Sequence, residues 1–135
     1  MHRGFDANVA ASEAYRGNDP LSRLRRFLAG HMRIAVSLLK SHQIYTRDWR
    51  SLSEDRFRTI RGKRAAYEQY LAGLLAAAQQ AGQVRGDMDS RLLALAMLSS
   101  LNSVHIWYRG GGTFSADTVA GTYCSIVLEG IVRQP

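Results

Sequence analysis

Leu92-Leu93-Ala94-Leu95-Ala96-Met97-Leu98-Ser99-Ser100-Leu101-Asn102-Ser103-Val104-His105-Ile106-Trp107-Tyr108 contains no Asp, Glu, Lys or Arg. At helical spacing, three neighbouring stripes are apolar or small: Leu92, Leu95, Ser99, Ile106; Ala94, Leu98, Leu101, Tyr108; and Leu93, Met97, Val104, Trp107. A helix apolar nearly all round must be covered on more than one side. The stretch is too short and too often interrupted by Ser, Asn and His to span a membrane. Beyond the turn Arg109-Gly110-Gly111-Gly112-Thr113-Phe114, with Ser115 as cap, a second helix is predicted over 116–132. It is charge-free from Thr118 to Leu128, and its stripes are Val119, Tyr123, Ile126 and Ala120, Cys124, Val127, Ile131. Gly121 and Gly130 would admit a second backbone closely. The chain's own helices can cover one side of this pair. The other side is expected to meet a second copy, over Leu93, Met97, Val104, Trp107, Val119, Tyr123, Ile126, Val127 and Gly130.

At 135 residues the chain reads as one domain, 1–135, able to bury a core without a disulfide or metal staple. Its 46% hydrophobic content is that of a globular protein. Two prolines and no sustained alternation point to an all-α fold of about six helices. A single cysteine excludes an internal disulfide and fits a reducing compartment. The N-terminus, Met-His-Arg-Gly-Phe-Asp-Ala-Asn, has no apolar signal core, so a cytoplasmic location without membrane association is expected. The net charge of +7 is uneven: 14 basic against 6 acidic residues up to Arg64, and 4 against 5 beyond it. Such asymmetry suits a nucleic-acid surface or an anionic ligand, and equally a set of solvated helix faces.

Outward from the apolar pair, the chain reads as successive helices. Residues 1–16 are helix-compatible, with Phe5, Val9 and Ser12 or Glu13 at helical spacing, and Gly17-Asn18 ends them. Asp19-Pro20 is a cap followed by a first-turn proline. The helix it starts is predicted to reach residue 41, with Leu21, Leu24, Leu28, His31, Ala35, Leu38 and His42 inward and Arg23, Arg25, Arg26 and Arg33 outward. Residues 44–51 read as a short helix or turn around Trp49. Ser53-Glu54-Asp55 begins a long helix ending at Gly82, and Asp87 or Asp89 caps the apolar helix, predicted to run over 90–109.

No catalytic constellation is legible. His2, His31, His42 and His105 form no metal-ligand spacing, and no phosphate-loop or nucleophile motif occurs. No cofactor or metal is implied, and an enzyme is not expected. Cys124 lies mid-stripe and reads as a small buried residue. The run Arg56-Phe57-Arg58-Thr59-Ile60-Arg61-Gly62-Lys63-Arg64 suits phosphates, but no nucleic-acid reading module surrounds it. No direct nucleic-acid contact is therefore expected, whereas guiding an anionic ligand is compatible with it. What remains are polar and aromatic groups on inner faces: His31, His42, Trp49, Tyr67, Tyr70, Asn102 and His105. Buried polar groups need partners, so these either satisfy one another or line a mostly apolar ligand pocket.

Several phrases, in order, resemble one family. They are Arg3-Gly4-Phe5-Asp6-Ala7; Asp19-Pro20-Leu21-Ser22-Arg23-Leu24-Arg25; Arg50-Ser51-Leu52-Ser53-Glu54-Asp55-Arg56; Tyr67-Glu68-Gln69-Tyr70 within 64–75; Ala81-Gly82-Gln83-Val84-Arg85; Asp89 through Leu98; Leu101-Asn102 with Trp107-Tyr108-Arg109; and Leu128-Glu129-Gly130-Ile131. Together they look like the C-terminal ligand-binding and dimerisation domain of TetR-family transcriptional regulators. The region from Asn102 to Arg109 is similar to a subgroup sensing acyl-CoA thioesters. The resemblance implies a homodimer in which the pair 90–133 forms a four-helix bundle with its copy. It also implies a small apolar or acyl-type effector, and a linking helix at 1–16 that would lead to a DNA-binding helix-turn-helix unit absent from this chain. In an intact regulator, effector binding would shift that linking helix. A stand-alone helical dimer binding a small apolar molecule or a protein partner is the alternative.

Overall fold

Helix-start signals translate directly into geometry. Asp19 Oδ2 accepts from the backbone N–H and the hydroxyl of Ser22 at 3.1 and 2.7 Å. Asp89 Oδ1 accepts from the N–H groups of Arg91 and Leu92 at 2.9 and 3.0 Å, and Ser115 Oγ from that of Thr118 at 3.2 Å. Each satisfies donors that a helix N-terminus leaves without a partner. In this computed structural model, residues 2–37, 54–109 and 112–133 are described. Among them are six helices: α1 (His2–Ala14), α2 (Pro20–Ser37), α3 (Glu54–Gln80), α4 (Ser90–Asn102), α5 (Val104–Trp107) and α6 (Ala116–Glu129). No strand occurs among the described residues; one isolated antiparallel bridge joins Val84 to Val132. The fold is all-α. No helix among these residues is long and apolar enough to cross a membrane.

Boundaries differ from expectation in two places, each for a visible reason. The charge-free helix breaks at Ser103, separating α4 from α5. There Ser100 Oγ donates to Ala96 O at 2.9 Å and Ser103 Oγ to Ser100 O at 2.6 Å. Side chains competing for helix carbonyls weaken the ladder at this point. The last helix ends at Glu129, short of Val132. Beyond it the chain turns extended, Arg85 N–H donating to Ile131 O at 2.8 Å and Arg133 N–H to Gln83 O at 3.0 Å. Gly82 ends α3 with φ of 75°, and Gln83 N–H closes back on Ala78 O at 2.9 Å.

Helix α2 is the hub, touching α1, α3, α4, α5 and α6. Its Leu24, Phe27, Leu28 and Met32 are wholly buried, facing Leu71 and Leu75 of α3 and Leu101 of α4 in one core. Burial of each such side chain stabilises by about 1.5–3 kcal/mol. Arg25, Arg26 and Arg33 stand on the exposed side, as the spacing predicts. The Arg26 guanidinium lies over the Tyr15 ring at 4.3 Å, while Arg23 donates to Tyr15 O at 3.0 Å and so finishes α1.

Two glycines inside α3, Gly62 and Gly73, have open space where a Cβ would stand. Helical backbone there gains nothing from glycine. Gly73→Ala is expected to stabilise the chain by about 0.5–1 kcal/mol, read as a raised urea midpoint at constant m-value. A loss of stability would show that something crowds Gly73 in solution.

Candidate functional site

A buried chain of side-chain hydrogen bonds links four helices. Asn8 of α1 donates through Nδ2 to Phe27 O at 3.1 Å and to Tyr67 OH of α3 at 2.9 Å. Tyr67 OH lies 2.8 Å from His31 Nδ1 of α2. His31 Nε2 lies 2.8 Å from Asn102 Oδ1 at the end of α4. The sequence places His31, Tyr67 and Asn102 on inner faces, and helix packing brings them together with Asn8. Burial of His31 is almost complete, at 1% exposure.

Aromatic rings enclose this chain. Phe5 stacks on Tyr67 with centroids 4.2 Å apart and planes 21° from parallel, and on His31 at 6.1 Å. Phe27 tilts against Tyr67 at 5.1 Å. Low polarity shifts both titratable members toward their neutral forms. Burial pushes the His31 pKa down, partly opposed by its hydrogen bond to Asn102. Burial pushes the Tyr67 phenol up, partly opposed by the Asn8 hydrogen bond. Neither side chain carries charge near neutral pH.

The Asn102 end opens on a cavity of about 320 Å³. Phe5, Tyr67, Leu95, Leu98 and Ile106 give it an apolar lining, and His31, Asn102 and His105 add polar groups, with Arg64 and Glu68 also on its wall. Ser99 and Ser103 complete a wall of mixed character, which suits a small molecule with an apolar body and a polar group. A second cavity of about 360 Å³ shares Phe5 and Tyr67 and adds Val9, Lys63 and Tyr70.

Of the expected ligand contacts, His31, Tyr67, Asn102 and His105 come together around the first cavity. Tyr70 does not join them; its hydroxyl donates to Ser12 Oγ at 2.8 Å, and it faces the second cavity. His42 and Trp49 lie outside the described residues. Asn8 is the member that stripe-reading does not single out, and Phe5, though on the α1 stripe, is not among the expected ligand contacts. Asn8 is an amide on a thin apolar stripe beside Phe5 and Ser12, the same signal that marked Asn102.

The expected partner-facing positions separate. Leu93, Met97, Val104 and Val119 are buried in this chain's own core. Tyr123 and Val127 are half-buried, and Trp107, Ile126 and Gly130 are exposed. Trp107 Nε1 donates to Tyr123 OH at 2.7 Å across α5 and α6. Leu92 is 65% and Ile126 67% exposed, large apolar side chains facing away from the core.

Elsewhere, Asp87 pairs with Arg85 at 2.8 Å through both carboxylate oxygens, which holds its carboxyl down at about 2. Asp89 is the helix cap, so these two acids have separate structural partners. Half-buried Cys124 has its thiol pKa pushed up by burial, as suits an inert packing residue. Among the described residues no group of three or more His, Cys, Asp or Glu could hold a metal.

Residues 17–131 match the family described as tetracyclin repressor-like, C-terminal domain. Over 81 residues the chain is 35% identical to the HTH-type transcriptional repressor KstR2 of Rhodococcus jostii strain RHA1, covering 59% of this chain and 39% of that protein. The solved ketosteroid transcriptional regulator KstR2 of Mycobacterium tuberculosis superposes with a TM-score of 0.83 at 24% identity, over 97% of this chain and 68% of that one. AibR, solved in complex with isovaleryl coenzyme A and operator DNA, superposes with a TM-score of 0.71 at 16% identity, over 92% and 68%. These two likenesses are of fold.

Proposed function

The chain belongs to the tetracyclin repressor-like C-terminal domain family, and from that premise we propose that it is the effector-binding and dimerisation domain of a transcriptional regulator whose effector is a small apolar or acyl-type molecule. The observation that carries this reading is the cavity of about 320 Å³ into which the buried chain of Asn8, Tyr67, His31 and Asn102 leads. A purely structural polar cluster needs no adjoining space. Here the space is walled by Phe5, Leu95 and Leu98 and has polar groups at fixed points. AibR is a complex with isovaleryl coenzyme A, and KstR2 is a ketosteroid regulator. Both names point to an apolar skeleton bearing oxygen, and a cavity of this composition suits such a skeleton.

The same polar chain suggests how occupancy is felt. Asn8 and Phe5 sit on α1, the helix that in a longer regulator would lead toward the DNA-reading unit. A ligand that favours one arrangement of His31 and Asn102 is coupled through Tyr67 to α1. Coupling of this kind needs two arrangements with different ligand affinity. Thermal unfolding against a panel of acyl-CoA thioesters and fatty acids tests the pocket. A shift of several degrees is expected for a fitting member, and a panel without any stabilising compound would sink the effector reading.

Dimerisation in this proposal uses the surface that α4–α6 leave uncovered: Leu92, Trp107 and Ile126, with Gly121 offering open space for a close backbone. Ile126→Asp would place a charge at the centre of such an interface. Sedimentation at tens of micromolar is expected to show a dimer for the parent chain and a monomer for the variant, with dissociation at least about 100-fold easier. A parent chain that sediments as a monomer removes the dimer from the proposal.

A further inference from the structure

The polarity of the buried hydrogen-bond chain can be worked out from one end, because one of its acceptors is unambiguous. Phe27 O is a backbone carbonyl and can only accept, so the group Asn8 turns toward it is the amide nitrogen. That nitrogen also donates to Tyr67 OH. Tyr67 therefore receives a proton at its oxygen and has its own single proton to give. Its oxygen could accept a second time, but its own proton would then have no acceptor among the described residues, so His31 Nδ1, 2.8 Å away, is the acceptor for it. A neutral imidazole accepting at Nδ1 carries its proton on Nε2. Nε2–H then donates over 2.8 Å and requires an acceptor, which fixes Asn102 with its oxygen, Oδ1, toward His31. The Asn102 amide nitrogen is thereby turned away from His31. Among the described residues no acceptor stands against it, and Asn102 lines the cavity.

From this order we infer that Asn102 is a specificity-determining donor: its amide N–H groups take a carbonyl-type oxygen of the ligand, with Asn8, Tyr67 and His31 acting as positioning residues that set its orientation. The inference rests on the reading of this cavity as an effector site. It selects for ligands that present an acceptor at the Asn102 end, a ketone, ester, thioester or amide oxygen, set on an apolar skeleton that meets Phe5, Leu95 and Leu98. A group that only donates would face two N–H donors with no acceptor, and a buried mismatch of that kind is costly. The carbonyl that sets the selectivity, Phe27 O, reaches Asn102 only through three intervening side chains, Asn8, Tyr67 and His31.

The test has one arm without ligand and one with it. Nitrogen-15 NMR of the 135-residue chain at pH 7.5 should show His31 as the Nε2–H tautomer, with Nδ1 unprotonated. The Nδ1–H tautomer or an imidazolium overturns the inference whatever the cavity binds. For the ligand arm, 2-octanone is compared with 2-methyl-1-octene, in which a methylene replaces the carbonyl oxygen. Asn102→Asp keeps an oxygen for His31 Nε2–H and removes both donors. The ketone-to-alkene affinity ratio is expected to fall by about tenfold in Asn102→Asp, the ratio cancelling the difference in desolvation between the probes. An unchanged ratio, with both probes bound, overturns the role of Asn102 and leaves the effector site standing. Binding of neither probe to the parent chain, together with an empty acyl panel, overturns the site and the inference with it. Circular dichroism of the variant checks that the helices persist, and the NMR arm decides the matter if they do not.

Discussion

Gly30→Ala is expected to destabilise the chain by about 2–3 kcal/mol, although alanine in a helix interior is favoured over glycine by about 1 kcal/mol. Gly30 lies inside α2, where a glycine ordinarily weakens the helix. A Cβ built there would run into Asn8 Oδ1, with Asn8 Cγ 3.1 Å away. Asn8 is short, its amide nitrogen donates to both Phe27 O and Tyr67 OH, and it is 7% exposed. It cannot swing aside without leaving buried groups unsatisfied, at about 1–3 kcal/mol each. Those losses outweigh the gain in helix propensity. The expected reading is a lowered urea midpoint and a fall in Tm of roughly 10 °C. In an Asn8→Ala background the collision disappears, and the same Gly30→Ala step should be neutral or stabilising. A coupling below about 0.5 kcal/mol between the two substitutions would show that the two sites do not touch in solution.

This pair of residues also shows which parts of the molecule were legible beforehand. Helix starts at Asp19 and Ser115, and the stop at Gly82, are chemical instructions carried by one or two residues and appear where expected, and of the two candidate caps Asp87 and Asp89 it is Asp89 that starts α4. Inner stripes are similarly local, so His31, Tyr67 and Asn102 could be placed on inward faces. Their mutual contact could not be derived from spacing, because Asn8, Tyr67, His31 and Asn102 belong to four helices whose rotation is set by packing. Gly30 reads as a flaw in α2 until Asn8 is seen against it. Asn8 in turn reads as a surface amide on a weak helix until Tyr67 is beneath it. Leu93, Met97, Val104 and Val119 are as apolar as any interface residue, and only the position of α2 shows that they face inward. The break at Ser103 needed the serine hydroxyls to turn back on their own helix, a choice side chains make locally but which spacing does not reveal.

Acidification should reveal His31 as a titrating part of the fold. Its folded-state pKa is depressed, mainly by burial, whereas in the unfolded chain it titrates near the ordinary value of 6.5. Above pH 6.5 the ring is neutral in both states and its full contribution to stability is present. As pH falls below 6.5 the unfolded chain takes up a proton that the folded chain does not, so stability declines, by up to about 1.4 kcal/mol per pH unit. The decline continues until the folded-state pKa is reached. Below pH 6.5 the parent chain is expected to lose stability more steeply than His31→Gln, which has no proton to gain. The low carboxyl pKa of Asp87 costs stability only further toward acid, as pH falls from the ordinary value of 3.8 toward about 2, and does not contribute in this window. Chemical denaturation at half-unit pH intervals measures both curves, and parallel curves for parent and variant would rule the effect out. The direction follows from the contacts as well as from burial. A proton on Nδ1 would leave Tyr67 without the acceptor it now meets at 2.8 Å, while Asn8 continues to donate to the same oxygen. Charging the ring therefore disrupts the connection between α1 and the cavity as well as adding a buried charge, and effector affinity should fall over the same pH range as stability.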